Sequence, residues 1–140
     1  MYAQIFEYAN ATAMLAWLLL IAAPHWSWTE RIARGIIVAS LALLYVYFVL
    51  GAIKMDDFAS FGSLHGVMQL FTSEQAVLAG WLHYLAFDLM TGLYIKNDAQ
   101  KHEISHFVVV PCLLLTFMLG PTGLLLYFLI RLVKTKAWFL

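Results

Sequence analysis

The sequence predicts an all-α fold, a polytopic membrane bundle of four transmembrane helices with a short interfacial or re-entrant segment between the second and third. Three observations predict it. Of 140 residues, 64% are hydrophobic and only 11% are charged, against about 45–50% and about 25% in soluble domains. The apolar residues come in long runs rather than alternating, which argues for helices and against a β-barrel. Each crossing of a hydrocarbon core about 30 Å thick takes roughly 20 helical residues, so four helices and short loops use nearly the whole chain, residues 1–140, as one integral membrane domain.

The first helix is expected over about 6–24 and stops at Pro24. His25-Trp26-Ser27-Trp28 follows as an interfacial turn, since amphipathic indole rings suit the headgroup layer. Thr29 can cap the next helix, with Glu30 favourably near its positive end. That second helix, about 33–53, ends at Lys54-Met55-Asp56-Asp57. The stretch Phe58 to Ser73 is less hydrophobic and carries Gly62, His65 and Gly66, which suits a short interfacial helix, a re-entrant loop or an ordinary connection. Thr72 and Gln75 form a capping-box pattern that opens the third helix, about 74–95. After a polar loop, 96–101, the fourth helix spans about 103–133 with a kink expected at Gly120-Pro121, where proline removes a backbone hydrogen bond.

Eight Lys and Arg balance eight Asp and Glu, so no basic surface points to nucleic acid, and the single cysteine, Cys112, excludes an intrachain disulfide. Nothing in residues 1–13 has the character of a transit or cleaved signal segment. With four spans, Lys54, Arg131, Lys134 and Lys136 share one side and Arg31, Arg34, Lys96 and Lys101 the other, an even count. The clustering of Arg131, Lys134 and Lys136 leans toward cytoplasmic termini.

The third helix holds the chemistry. Asp88 falls near the middle of a span, where a carboxylate costs at least a few kcal/mol unless paired, protonated or solvated. At 100° per residue, His83, Thr91, Tyr84 and Asp88 stand at roughly 0°, 80°, 100° and 140°, one polar arc that must face the bundle interior. It either ties helices together by hydrogen bonds or forms a pocket in which a neutral, proton-bearing carboxyl serves as general acid. The fourth helix carries Cys112, Thr116, Gly120, Gly123, Tyr127 and Arg131 at spacings of three and four, a small and polar face that suits close helix packing. Folding the two helices antiparallel about residues 99–100 would set Asp88 level with Pro111 and Cys112, and His83 near Thr116.

His102-Glu103-Ile104-Ser105-His106 fits the H-E-x-x-H pattern of zinc hydrolases. A catalytic zinc needs a third protein ligand, and the sequence requires none, so no metal is assigned and a plain helix start is the better account. His65 could line a pocket mouth if its segment re-enters the membrane, or act only as a polar anchor. No residue pattern identifies a cofactor.

The block Trp81-Leu82-His83-Tyr84-Leu85-Ala86-Phe87-Asp88-Leu89, then His106, Pro111-Cys112-Leu113-Leu114-Leu115-Thr116-Phe117 and Gly120-Pro121-Thr122-Gly123-Leu124-Leu125-Leu126-Tyr127, resembles the small membrane family of abscisic-acid-deficiency (neoxanthin synthase-like) type. Plant members are required for making neoxanthin, an allenic carotenoid, from violaxanthin. The resemblance implies a carotenoid or isoprenoid ligand and an isomerase that opens a 5,6-epoxide and removes a proton, with Asp88 as acid and His83 as base. Trp81, Tyr84, Thr91, Cys112, Thr116, Tyr127, Arg131 and His65 would then contact the substrate. The alternative is a non-catalytic subunit that binds pigment or lipid, or scaffolds a larger membrane complex or homo-oligomer. The setting would be a bacterial inner membrane, or a plastid membrane in a plant or alga.

Overall fold

The computed structural model describes residues 1–52 and 60–136. Helix α1 (Tyr2–Ala22) is followed by α2 (Ser27–Glu30), which runs without a break through a π-helical stretch, Arg31–Val38, into α3 (Ala39–Ala52). A short helix α4 (Leu64–Leu70) precedes the long α5 (Glu74–Lys101), and α6 (His106–Leu119) and α7 (Pro121–Thr135) complete the helices of the described residues. The described residues contain no strand. The expected end of the second helix at Lys54-Met55-Asp56-Asp57 lies outside the described residues.

Among the described residues three helices, not four, are long and apolar enough to cross a membrane: Tyr2–Ala22, Ser27–Gly51 and Glu74–Lys101. The expected fourth span is broken in two. Gly120 adopts φ +46° and ψ −100°, which glycine reaches without strain, and Pro121, which has no N–H to lose, takes the first position of a new helix. Instead of kinking, the chain reverses. Gly123 lies against the backbone of Thr116 and Cys112, so close that a Cβ on it would stand 2.2 Å from the Thr116 nitrogen. At 1.5 Å per residue α6 and α7 are about 21 and 22 Å long, each short of a 30 Å core. They form a hairpin whose tip lies beside Asp88 and whose two ends lie level with the end of α5.

Helix α5 is the axis. Along it lie α1, running parallel, and α3, running antiparallel. α1 offers a stripe of Ala9, Ala13, Ala16, Trp17 and Leu20, all buried, whose small residues let the two backbones approach. Gly92 of α5 sits directly under the Trp17 indole. The Trp81 indole N–H donates to Asn10 Oδ1 at 2.8 Å, and Gln75 Nε2 donates to the Phe48 carbonyl of α3 at 3.0 Å. Outward-facing side chains such as Leu43, Leu50, Phe107 and Val133 are exposed and apolar, as a lipid solvent requires.

Several local expectations shift. Ser73, not Thr72, caps α5, accepting from the Ala76 N–H at 3.2 Å, while Thr72 donates to the Gln69 carbonyl. The second helix begins at Ser27, so Thr29 lies within its first turn and donates to the Ala23 carbonyl at 2.6 Å, closing the bend after α1. Residues 96–101 are helix rather than loop. That moves the reversal between α5 and α6 about five residues later and carries Gly120, rather than Pro111 and Cys112, to the level of Asp88.

Candidate functional site

The cavity of about 300 Å³ between α3, α4 and α5 is walled by Tyr45, Val49, Phe61, Leu70, Phe71, Ala76 and Gly80, with His83 and Ser73 its polar additions. Its shape follows from local sequence. Ser63 caps α4 by accepting from Gly66 N–H at 3.1 Å, and Gly66 itself lies against the Ser60 backbone, so α4 is held beside its own lead-in turn. Phe71 leaves the end of α4 and lays its ring where a side chain on Gly80 would be. His83, one turn further along α5, has the Tyr45 ring at 5.4 Å and the Phe87 ring at 4.5 Å as neighbours. It is itself exposed, so it does not face the bundle interior as expected of the polar arc. The result is an aromatic, largely apolar, half-open chamber with one imidazole on its wall.

Asp88 is elsewhere. The 140° between it and His83 turns the carboxylate away from α3 and toward the tip of the α6–α7 hairpin. A Cβ on Gly120 would stand 2.8 Å from Asp88 Oδ1. Oδ2 is closed off from solvent and has no hydrogen-bond partner among the described residues. Tyr84, one turn earlier on the same face, donates to the Met118 carbonyl at 3.4 Å in the last turn of α6, and its ring stacks on Trp81 at 5.3 Å. Trp81, Tyr84 and Asp88 therefore form one row facing α1 and the hairpin tip, while His83 alone enters the cavity. Thr91 is spent within its helix, donating to the Phe87 carbonyl at 2.9 Å. His65 is exposed on α4 and is not among the cavity walls.

The fourth-helix residues are brought together, but as a seam. Thr116 donates to the Cys112 carbonyl at 2.8 Å, fully buried against Gly123, and the Cys112 thiol is buried beside the Val108 carbonyl at 3.8 Å. Tyr127 and Arg131 converge on Asp98, a residue the sequence reading passed over. Tyr127 donates its hydroxyl to Asp98 Oδ2 at 2.5 Å, and Arg131 Nε lies 2.8 Å from the same oxygen. His102 completes the cluster, 3.3 Å from Arg131 Nη2. The i,i+4 spacing of Asp98 and His102, with a basic residue at the end of α7, was the available signal. Tyr45, Phe61 and Phe71 were missed for want of any signal, because which helices flank His83 is a matter of lateral packing.

The H-E-x-x-H pattern is not one helical face. His102 ends α5, Glu103 takes φ +51° in the turn, and His106 begins α6, where its ring lies 2.8 Å from the Ile21 carbonyl. Among the described residues no group of three or more His, Cys, Asp or Glu is placed to hold a metal ion.

No curated protein and no solved structure matches the chain. The model of the ABA DEFICIENT 4-like family matches residues 4–127, which takes in nearly all of α1 through the first half of α7 and every residue of both the chamber and the hairpin tip. With three helices able to cross a bilayer and a match over most of its length, the chain is a membrane protein that belongs to the ABA4-like family.

Proposed function

We propose that the chain takes the cyclic end of a carotenoid or a related isoprenoid into the chamber between α3, α4 and α5 and moves a proton on it with His83. The observation that carries this reading is the imidazole on the wall of an aromatic cavity, flanked by Tyr45 and Phe87. A volume of about 300 Å³ is at the small end for ligand pockets and suits a ring, not a whole polyene, so the chain of the substrate would trail along the apolar exterior.

For an epoxide-to-allene isomerisation, His83 takes the proton from the carbon beside the epoxide. The freed electron pair forms the second double bond of the allene, the carbon–oxygen bond breaks, and the oxygen is protonated. Tyr45, whose ring centroid is 5.4 Å from that of His83, is the proton-bearing neighbour that gives the oxygen its proton, and His83 returns one to Tyr45. Atoms balance within the substrate. Asp88 holds the hairpin tip in this reading and stays outside the chemistry.

The experiment is reconstitution of wild type and His83→Gln in lipid with a 5,6-epoxycarotenoid, following bound pigment and product separately. Wild type should bind and convert. His83→Gln should bind as well and convert at least about 100-fold more slowly, the usual contribution of a positioned acid–base group. Asp88→Asn should convert within a few-fold of wild type. Binding without conversion by wild type would leave a pigment-binding subunit, and no binding would end the reading altogether.

A further inference from the structure

The reversal at Gly120 changes which charges share a side of the bilayer. Because α7 returns along α5, Arg131 ends beside Asp98, and Lys134 and Lys136 lie just beyond it, level with the end of α5. Lys96 and Lys101 are in the last two turns of α5, and Arg31 and Arg34 open the descending second span, tied to the same level by the Lys96–Glu30 contact at 3.7 Å. These seven are all the Lys and Arg among the described residues. Three acids share that end, Glu30, Asp98 and Glu103, and two of them are already engaged, Glu30 with Arg34 at 2.9 Å and Asp98 with Arg131 at 2.8 Å. The opposite end carries Glu7 and Glu74 and, among the described residues, no Lys or Arg. Two exposed indoles, Trp26 and Trp28, belt the basic end, with the Arg31 guanidinium over the Trp28 ring at 5.3 Å.

We infer that this basic, tryptophan-belted face rests on the anionic headgroups of the leaflet facing the cytoplasm, or the stroma in a plastid, with the end of α7 on that side and the N-terminus across the membrane. A four-span bundle divides the eight Lys and Arg of the sequence four and four and selects no side. The hairpin puts seven of them together, Lys96 and Arg131 buried against Glu30 and Asp98, and Arg31, Arg34, Lys101, Lys134 and Lys136 exposed as the face itself. Short basic segments next to spans are the ones retained on the non-translocated side. Anionic lipid supplies the complementary charge, attracting Lys and Arg over about a Debye length, while indole rings seat in the headgroup layer. The inference stands independently of the chamber and its chemistry.

The full chain, expressed in a bacterial inner membrane with Cys112→Ser as background, tests it by cysteine labelling with a membrane-impermeant maleimide. Gln4→Cys should react in intact cells and Lys136→Cys only in inside-out vesicles. Reaction of both from one side would overturn the hairpin topology, and the reverse pattern or a mixture would overturn the assignment of the basic face. A second measurement reads the lipid directly, using purified protein in phosphatidylcholine vesicles with and without phosphatidylglycerol. Phosphatidylglycerol should raise the thermal midpoint of wild type by several degrees and leave that of the Arg31→Gln/Arg34→Gln/Lys134→Gln/Lys136→Gln variant nearly unmoved. An equal rise in both would overturn recognition of the anionic leaflet by this face.

Discussion

Arg131 and Asp98 meet with side chains only 7% and 13% exposed, so neither charge has water to fall back on. In such a place the pair itself adds little, but an orphaned partner is expensive, about 3–5 kcal/mol. Arg131→Ala should therefore lower stability by about that much, measured as thermal or denaturant unfolding in detergent. Tyr127→Phe removes one hydrogen bond to a charged acceptor and should cost about 1.5–3 kcal/mol. The double variant Asp98→Ala/Arg131→Ala should lose clearly less than the two single losses added together, because removing both ends leaves no stranded charge. Strict additivity would mean the two groups do not depend on each other. Asp88 gives the contrasting lesson. A carboxylate in the middle of an apolar run was legible from the sequence as a group needing a special environment, and it has one, at the hairpin tip. What faces it was not legible, since that depends on a reversal 32 positions further along the chain.

At the scale of the element, the reversal rests on two glycines with different jobs. Gly120 supplies a positive φ, and Gly123 supplies the absence of a side chain where α7 touches the α6 backbone. A methyl at 123 would stand 2.2 Å from the Thr116 nitrogen and 2.3 Å from the Cys112 carbonyl oxygen, backbone atoms that cannot swing aside. Gly123→Ala should thus spread the hairpin and cost at least about 1–3 kcal/mol, the usual range for overpacking. Gly120→Ala should be similarly harmful through its backbone angle and its approach to Asp88. Gly35→Ala, with nothing within 4 Å of the added carbon, is the control and should be neutral or stabilising. Equal losses at all three positions would show that helix propensity, not packing, governs them. The element boundaries show how such a turn is misread. Glycine followed by proline is both the signature of a kink and that of one helix stopping and the next starting. Hydropathy is high on both sides of Gly120, so composition alone joins the halves into one span. The small residues at 112, 116, 120 and 123 looked like a face offered to a neighbouring helix, and they are such a face, with the neighbour being the rest of the same segment.

For the whole molecule the consequence is two tiers of cohesion. Helices α1, α3 and α5 pack along their lengths through buried Leu, Ala and Phe, and half of the apolar window of α5 is buried. Spans of that kind are legible from apolar runs because each must satisfy its own backbone in lipid. Their lateral order is not, because lipid and protein interior are equally apolar and sequence hydropathy does not distinguish the face that meets a neighbour. Within the hairpin, α6 packs along α5 through buried Val109, Cys112 and Leu113, with Tyr84 reaching Met118 and Asp88 beneath Gly120 at the tip. By contrast, α7 leans on α6 and meets α5 mainly through the Asp98 cluster at its base. Regions with fewer buried contacts open at lower free energy than the core they rest on. Hydrogen exchange in detergent should accordingly show residues 121–135 exchanging as one unit, ahead of α1, α5 and α6. Gly123→Ala should speed exchange across that unit by at least about fivefold, as a destabilisation of about 1 kcal/mol or more implies, while α1 and α3 keep their wild-type protection. If instead the variant raised exchange evenly through all the helices, the hairpin would be part of a single cooperative bundle. The chamber at His83 would then be expected to loosen with it, whereas two tiers predict that ligand binding between α3, α4 and α5 survives an opened hairpin.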